Sequence, residues 1–401
     1  MRSPRGHILL CFCVAALLAP APRSDARDRA VGQIEGCALV SPADRPYGTG
    51  TAAPGELEAP SAALADRIAF WEQVWGEAGD DTTFLVDARR PELVHAVVTC
   101  DSKTAGRAHC GHERSVALRA VRRALSSSSE EARAARAERY AAAPELARDA
   151  ASHVRAVRGR SDALARAVVR AAPFLVELEE IFRSHGVPGE LARLAIVESL
   201  FRSNAVSKAG ATGAYQFTSA TGAQYLTVDE AVDERVDVLR AGDAAARYLA
   251  KLHRRFGRFD LALTAYNTGP ARLARLIKET GTSDLALLVE RARARGLDKR
   301  FGFDGENYFA QVLATIRASD ALRATTDKGE WTFARVRSSV RAGDLAACLA
   351  LPLTVLAEVN PSLTERALSE AVPVPKGYVV AVPVANAPRV ARAALVVDDQ
   401  I

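Results

Sequence analysis

One carboxylate stands out by where it sits. Leu191, Leu194, Ala195 and Glu198 occupy relative positions 0, 3, 4 and 7, which places all four on one stripe of a helix. A carboxylate on an apolar stripe is costly to ionise, so burial raises its pKa and lets it hold a proton near neutral pH. That is the state a general acid needs. A salt bridge to a neighbouring helix is the plainer reading of the same stripe, and the surroundings decide against it. Ser199 adjoins the glutamate, and the loop from Asn204 to Phe217 is punctuated by Gly210 and Gly213 and returns the amide of Gln216 eighteen residues on. Farther along, Ala262 to Pro270 reads as a helix that stops on a polar aromatic pair, Tyr266 and Asn267.

These residues need a helical frame to hold them. Pro173 precedes an amphipathic stretch from Phe174 to Phe182 that Gly186 stops, and Pro188 with Glu190 marks the start of the helix carrying Glu198. Segments of this kind, broken by Gly and Pro, run from about Ser161 to Asp320 and form one compact unit. Composition agrees, because 46 of the 53 basic residues are arginine, and alanine and arginine both favour helix. At 401 residues, 49% apolar and 25% charged, the chain excludes disorder and collagen-like architecture and suits two or three domains. The formal charge of +5 is small, and the charges read as interspersed, so no nucleic-acid footprint is indicated.

The first 26 residues read as a secretory signal peptide: Arg2 and Arg5, an apolar run of 12 from Ile8 to Ala19, then Ser24-Asp25-Ala26 as a small-x-small cleavage site. Removing them leaves a charge of +3. A lipoprotein signal is the weaker alternative, because Leu10 and Phe12 precede Cys11 and Cys13 where a small residue belongs. Export would put Cys37, Cys100, Cys110 and Cys348 in an oxidising compartment. Cys100 with Cys110 is the favoured bridge, and the nearby His109 and His112 match no zinc spacing. Cys348, among Leu345, Leu349 and Leu351, reads as a free core cysteine.

Residues 27 to about 60 read as an extended linker, with order beginning near Leu64. Leu64, Ile68, Trp71 and Trp75 have helical spacing, and both tryptophans read as core. Thr83 to Val86 and Leu93 to Val98 are short apolar runs that fit strand or buried helix equally. From Ser126 to about Gly159, four serines and a charged Ala/Arg/Glu stretch read as a solvated helix or arm. Trp331 to Val384 reads as strand, two short helices and strand, with Pro373, Pro375 and Pro383 keeping the strands near an edge.

Four motifs in order, Glu198-Ser199, Gly213-Ala214-Tyr215-Gln216-Phe217, Ala265-Tyr266-Asn267 and Glu306-Asn307-Tyr308, resemble the soluble-lytic-transglycosylase (goose-lysozyme-like) family. The likeness runs over about Phe174 to Ala318 and is strongest to the membrane-bound lytic murein transglycosylase D group. Val232-Asp233-Glu234-Arg235 and Ala244 to Leu249 look like its middle helices, and Phe70-Trp71 with Val86-Asp87 resembles an extension of some members. Ala214-Tyr215 departs from the bulky-aliphatic or Met/Trp pair the family more often has, which bears on one sugar subsite. Val340 to Leu345 and Val359 to Leu363 resemble a single, shortened LysM module, which fits a glycan-binding unit or a structural cap equally.

The resemblance implies a mainly α protein: a signal peptide (1–26), a linker and helical extension (27–160), a lysozyme-like catalytic domain (161–325), a degenerate α+β LysM-like module (326–386) and a tail (387–401). It implies a peptidoglycan lytic transglycosylase, exported to the periplasm or envelope of a bacterium, acting on glycan strands with outer-membrane or cell-wall association and no cofactor, metal or nucleic acid. Glu198 would be the single catalytic acid/base. Ser199 would support it or the substrate, and Gln216, Tyr266, Asn267 and Tyr308 would surround the sugar. Each also has a structural alternative: packing and a bond to Glu198 for Tyr266, a helix cap for Asn267, a loop bond for Gln216, core for Tyr308. Two competing functions remain. A hydrolytic muramidase would need a second carboxylate, for which Asp229, Asp233 and Asp237 are candidates, and a non-catalytic peptidoglycan-binding scaffold would need no acid at all.

Overall fold

The computed structural model describes residues 44–53, 55–320, 322 and 331–386, and the backbone of 39–42. The expected signal peptide, Cys37 and the tail beyond 386 lie outside the described residues. The described residues are mainly α, with two small antiparallel sheets.

Strand β1 (Leu39–Pro42) comes first. Residues 44–61 lack periodicity, yet they are held in place. Tyr47 is buried edge-on against Phe333, Gly48 N–H donates to Asp243 Oδ1 (2.8 Å) and Phe259 N–H donates to Glu58 Oε2 (3.0 Å). Order therefore begins well before Leu64, because this strap is fixed by polar and ring contacts that leave no periodic signature. Helix α1 (Ala65–Glu72) buries Ile68 and Trp71 and runs into one wide turn, Gln73–Glu77, that buries Trp75.

The two open apolar runs are strands. β2 (Thr82–Asp87) and β3 (Arg90–Thr99) form a hairpin, and after α2 (Arg107–Ser126) and α3 (Glu130–Arg139), β4 (Val154–Arg158) returns to give the antiparallel order β3-β2-β4. Phe84, Leu85 and Val86 are buried on the central strand, which is why this run shows no alternation. The extension is thus helices plus a sheet. α3 is solvated as expected and is capped by Ser129, whose Oγ accepts from Ala132 N–H (3.2 Å). The segment after α3 is no arm, because Tyr140 is buried with its hydroxyl on Asp87 Oδ2 (2.8 Å). A Cys100–Cys110 disulfide, Cα to Cα 5.5 Å, ties the end of the hairpin to the first turn of α2.

The central unit comprises α4 (Ser161–Ala171), α5 (Leu175–Ser184), a tight turn Gly189–Arg193 leading into α6 (Leu194–Ser199), α7 (Ser219–Gly222), α8 (Val238–Phe256), α9 (Phe259–Thr268), α10 (Pro270–Thr280), α11 (Leu285–Ala294) and α12 (Asp298–Asp320). α9 buries Phe259, Leu261, Ala262, Leu263 and Ala265, the pattern of a helix apolar almost all round at the centre of a core. α8, α10 and α12 pack around it, and α12, bent at Gly302, also meets α1 and α6. No helix among the described residues is long and apolar enough to cross a membrane.

The C-terminal part is β5 (Trp331–Val336), α13 (Ala342–Leu349), α14 (Leu353–Val359), α15 (Glu365–Leu368) and β6 (Val379–Pro383). β5 is central and pairs with both β1 and β6, leaving the proline-ended β6 at an edge. Cys348 is disulfide-bonded rather than free, so the apolar neighbours that suggested a core cysteine surround half of a bridge. This part is bound to the central unit: Val232 bridges Leu363, Asp233 N–H donates to Ser362 O (2.8 Å), and the Arg240 guanidinium donates to Val379 O. One buried apolar cluster runs from Tyr47 to Val379.

Candidate active site

α6 is short and ends abruptly. Leu200 (φ 57°) and Phe201 (φ 58°) both take the left-handed conformation, and their N–H groups close back on Ile196 O (2.8 Å) and Ala195 O (3.0 Å). Two successive non-glycine residues in this region are strained and persist only where surroundings impose them. Here Phe201 is buried and Arg170 donates twice to Leu200 O (2.6 and 3.0 Å). The chain is thereby turned directly after Glu198-Ser199, so the glutamate stands on the last turn of its helix beside the returning loop.

Glu198 is half-buried, above the fully buried Leu191, Leu194 and Ala195. Burial pushes its carboxyl up to about 7, while the Tyr308 hydroxyl, which donates to Oε1 at 2.5 Å, pulls the other way. Among the described residues no charged neighbour contributes to the shift. Burial, with the Glu198 charge second, raises the Tyr308 phenol well above its usual range, so it stays a donor.

The loop is held by close backbone approach. Gly213 has φ 85°, and a Cβ there would fall 1.8 Å from Arg235 O. Only glycine fits. Arg235 is itself fixed by a fork onto Asp233 (2.7 and 2.9 Å). Ser199 Oγ is buried, lies 2.9 Å from Ala214 O and 3.2 Å from Ala195 O, and accepts from Arg202 N–H (3.0 Å). Its hydroxyl is spent on backbone, so Ser199 ties the loop to α6. Gln216, with φ 52°, turns its Nε2 into the loop onto Gly213 O (2.9 Å) and Ala205 O (3.2 Å). Tyr215 is fully buried with its hydroxyl on Ala192 O (3.1 Å), so the unusual Ala214-Tyr215 pair lies in the core beneath the loop.

Tyr266 donates to Tyr215 O (2.8 Å) rather than to Glu198. The Glu198 charge still weighs on it: burial first, and that charge second, raise its phenol well above the ordinary range. Asn267 is exposed, and the helix end after it is closed by Gly269 N–H on Ala265 O (2.9 Å). Among the described residues no hydrogen bond is made by the Asn267 side chain, which leaves its amide open to a ligand. Phe217, Tyr225, Tyr248 and Tyr266 form a ring cluster with centroids 5.4 to 6.5 Å apart, and the buried Tyr225 hydroxyl has no partner among the described residues. Sequence reasoning missed Tyr225 and used Tyr248 only as part of a helix pattern. It also missed the support behind Tyr308. Asn307 is fully buried, donates to Phe303 O (2.7 Å) and accepts from Trp71 Nε1 (3.1 Å), while Arg67 donates to Glu306 O (3.2 Å).

The candidate second carboxylates are all engaged elsewhere. Asp229 accepts from Ala231 and Val232 N–H (2.8 Å each), Asp233 holds Arg235, and Asp237 caps α8 through Leu239 and Arg240 N–H (3.1 Å each). His109, Glu113 and Cys100 come close enough together for a metal ion, but Cys100 is spent in its disulfide and offers no thiolate.

Fold and site together define a mainly α scaffold presenting one half-buried carboxyl with a tyrosine donor. Comparison with known proteins shows what part of the chain is similar to. Residues 179–289 match the family model described as the Transglycosylase SLT domain, so the chain carries such a domain, with Glu198, Ser199, Gln216, Tyr266 and Asn267 inside the matched span and Tyr308 beyond it. Over 107 residues the chain is 35% identical to the membrane-bound lytic murein transglycosylase D of Escherichia coli (strain K12), and equally to that of Escherichia coli O6:H1. These alignments cover 26% of this chain and 24% of each relative. A protein of Alteromonas sp. (strain M-1) named for tributyltin chloride resistance is 35% identical over 107 residues, 26% of this chain and 51% of its own length. The chain thus spans about a quarter of the length of the first two relatives.

Proposed function

We propose that this chain is a peptidoglycan lytic transglycosylase in which Glu198 is the single acid/base. The observation that carries this reading is a carboxyl held up to about 7 by burial and bonded to Tyr308, with no second carboxylate acting on it among the described residues. Protonated, Glu198 donates to the oxygen joining N-acetylmuramic acid to N-acetylglucosamine. The substrate's own acetamido carbonyl steadies the developing oxocarbenium ion where other glycosidases use a second carboxylate. The ionised Glu198 then takes the proton of the C6 hydroxyl, whose oxygen closes onto C1 to leave a 1,6-anhydro end. Tyr308 holds the carboxyl in place through both halves, and the exposed Asn267 amide is free to orient the sugar. Gln216 and Ser199 act indirectly, by shaping the loop.

The engagement of Asp229, Asp233 and Asp237 weighs against a hydrolytic muramidase. The C-terminal part, bound along residues 231–240, fits a cap on the catalytic unit better than a detached glycan-binding module. Its order of strand, helices and strand, with α15 added to the two expected helices, fits a LysM-like reading of its fold, and the divisions near 160 and 325 go with the same proposal. The Cys100–Cys110 disulfide supports export to an oxidising envelope compartment. Mass spectrometry of digested sacculi tests the reaction. Products ending in 1,6-anhydromuramic acid, absent with Glu198→Gln, are expected; reducing ends would make the chain a muramidase, and equal effects of both proteins on sacculi would make it a scaffold.

A further inference from the structure

The chain's small net charge is unevenly placed. Residues 271–300 hold eight basic and four acidic side chains, net +4 of a whole-chain +5. The fold turns part of that excess into a groove of about 540 Å³ between α10 and the first turn of α12, lined by Arg272, Arg275, Lys299 and Arg300 with Ala271 and Leu276. Leu276 is buried at the floor and all four cations are exposed. Among the described residues only Arg300 of the four has a carboxylate partner, Glu279 at 2.9 Å; Arg272, Arg275 and Lys299 have none. Apposed exposed cations without counter-charges repel one another, and an anionic ligand relieves that repulsion.

The groove is continuous with the candidate site along the chain. α10 leaves the Tyr266-Asn267 motif through Gly269, so Arg272 stands five residues beyond Asn267. Lys299 and Arg300 precede Tyr308 by eight or nine residues on the same helix, across the Gly302 bend. Two walls of the groove therefore grow out of two motifs of the site. A glycan strand seated at Glu198 is itself uncharged along its sugar backbone; its negative charge lies in the free carboxylates of the peptide stems carried on the muramic lactyl groups.

We infer that the α10/α12 groove binds stem-peptide carboxylates of the glycan strand seated at Glu198, so that the enzyme prefers stem-bearing over denuded glycan. This rests on the proposed activity. The test uses the full chain and the Arg272→Glu/Arg275→Glu double variant, with sacculi and with the same sacculi stripped of stems by an amidase and then amidated at the lactyl carboxyls that the cleavage frees, so that the stripped glycan carries no charge. Exposed charge contacts are individually weak, so the expected loss of kcat/KM on intact sacculi is about five- to tenfold, with about twofold or less change on stripped glycan. Arg272→Lys/Arg275→Lys should retain most of the preference, and high salt should bring wild type down toward the double variant. A second arm is independent of catalysis: co-sedimentation of Glu198→Gln, with and without the double substitution, on both substrates. Loss of binding to intact sacculi alone supports the groove even if no 1,6-anhydro product ever forms, which would sink only the activity. Equal losses on both substrates, or none on either, overturn the inference.

Discussion

Replacing Glu198 by glutamine should make the protein more stable, and only above a definite pH. The carboxyl is raised from 4.5 to about 7 in the folded chain. Below pH 4.5 it is protonated folded or unfolded and contributes no difference. Between 4.5 and 7 folding takes up a proton, so wild-type stability declines as pH rises; above 7 the carboxylate is ionised in both states and the full penalty is in force. At about 1.4 kcal/mol per pH unit, that span sets a ceiling of about 3 kcal/mol, and solvent reaching the half-buried group brings the expected value to about 1–3 kcal/mol. Glutamine keeps the shape and can still accept from Tyr308, so little else changes. Denaturant unfolding of both proteins at pH 4, 6 and 8 reads the effect. The variant should match wild type at pH 4 and exceed it at pH 8. Equal stability at pH 8, or a less stable variant, would refute the claim that Glu198 stands in a site that penalises its charge.

The same geometry has other consequences. Tyr308→Phe removes the bond that holds the carboxyl down, so the alkaline limb of the pH–rate profile should move to higher pH while kcat falls about 10²-fold, as when a positioned donor is lost. Trp71→Phe keeps a ring in the core but leaves the buried Asn307 Oδ1 without its donor, and should cost about 1–3 kcal/mol in denaturant unfolding. Gly213→Ala drives a Cβ into Arg235 O. It should abolish activity on sacculi while circular dichroism still reports a helical fold.

What the sequence made legible is local. The stripe carrying Glu198 could be read because helix periodicity alone sets it, and the need for Gly213 showed as punctuation in the loop. Ser199 was misleading in a physically simple way: adjacency in sequence puts neighbouring side chains about 100° apart on a helix, so the residue next to the acid points to Ala214 O instead. Trp71 and Asn307 are 236 residues apart, and each alone is indistinguishable from ordinary core. Tyr308 could be singled out only by resemblance. β4 pairs with β2 across two helices, and nothing in Val154–Arg158 announces its partner. Arginines that look interspersed along the chain come together only when α10 and α12 meet. The strap at 44–61 shows the converse: no pattern in sequence, yet fixed by a ring, a backbone N–H and a carboxylate.

The pairing of β1 with β5, Leu39 opposite Val336, gives the chain the topology of a loop clasped near both ends. A polypeptide made amino-end first can build its helices as they emerge, but this clasp must wait until nearly everything else has arrived. Until then β1 stands without its partner and the C-terminal sheet is one strand short, leaving an open strand edge that other chains can pair with. Trimming either terminus inward past the clasp would recreate that edge permanently, so aggregation rather than lost activity is the first fault to look for in shortened versions.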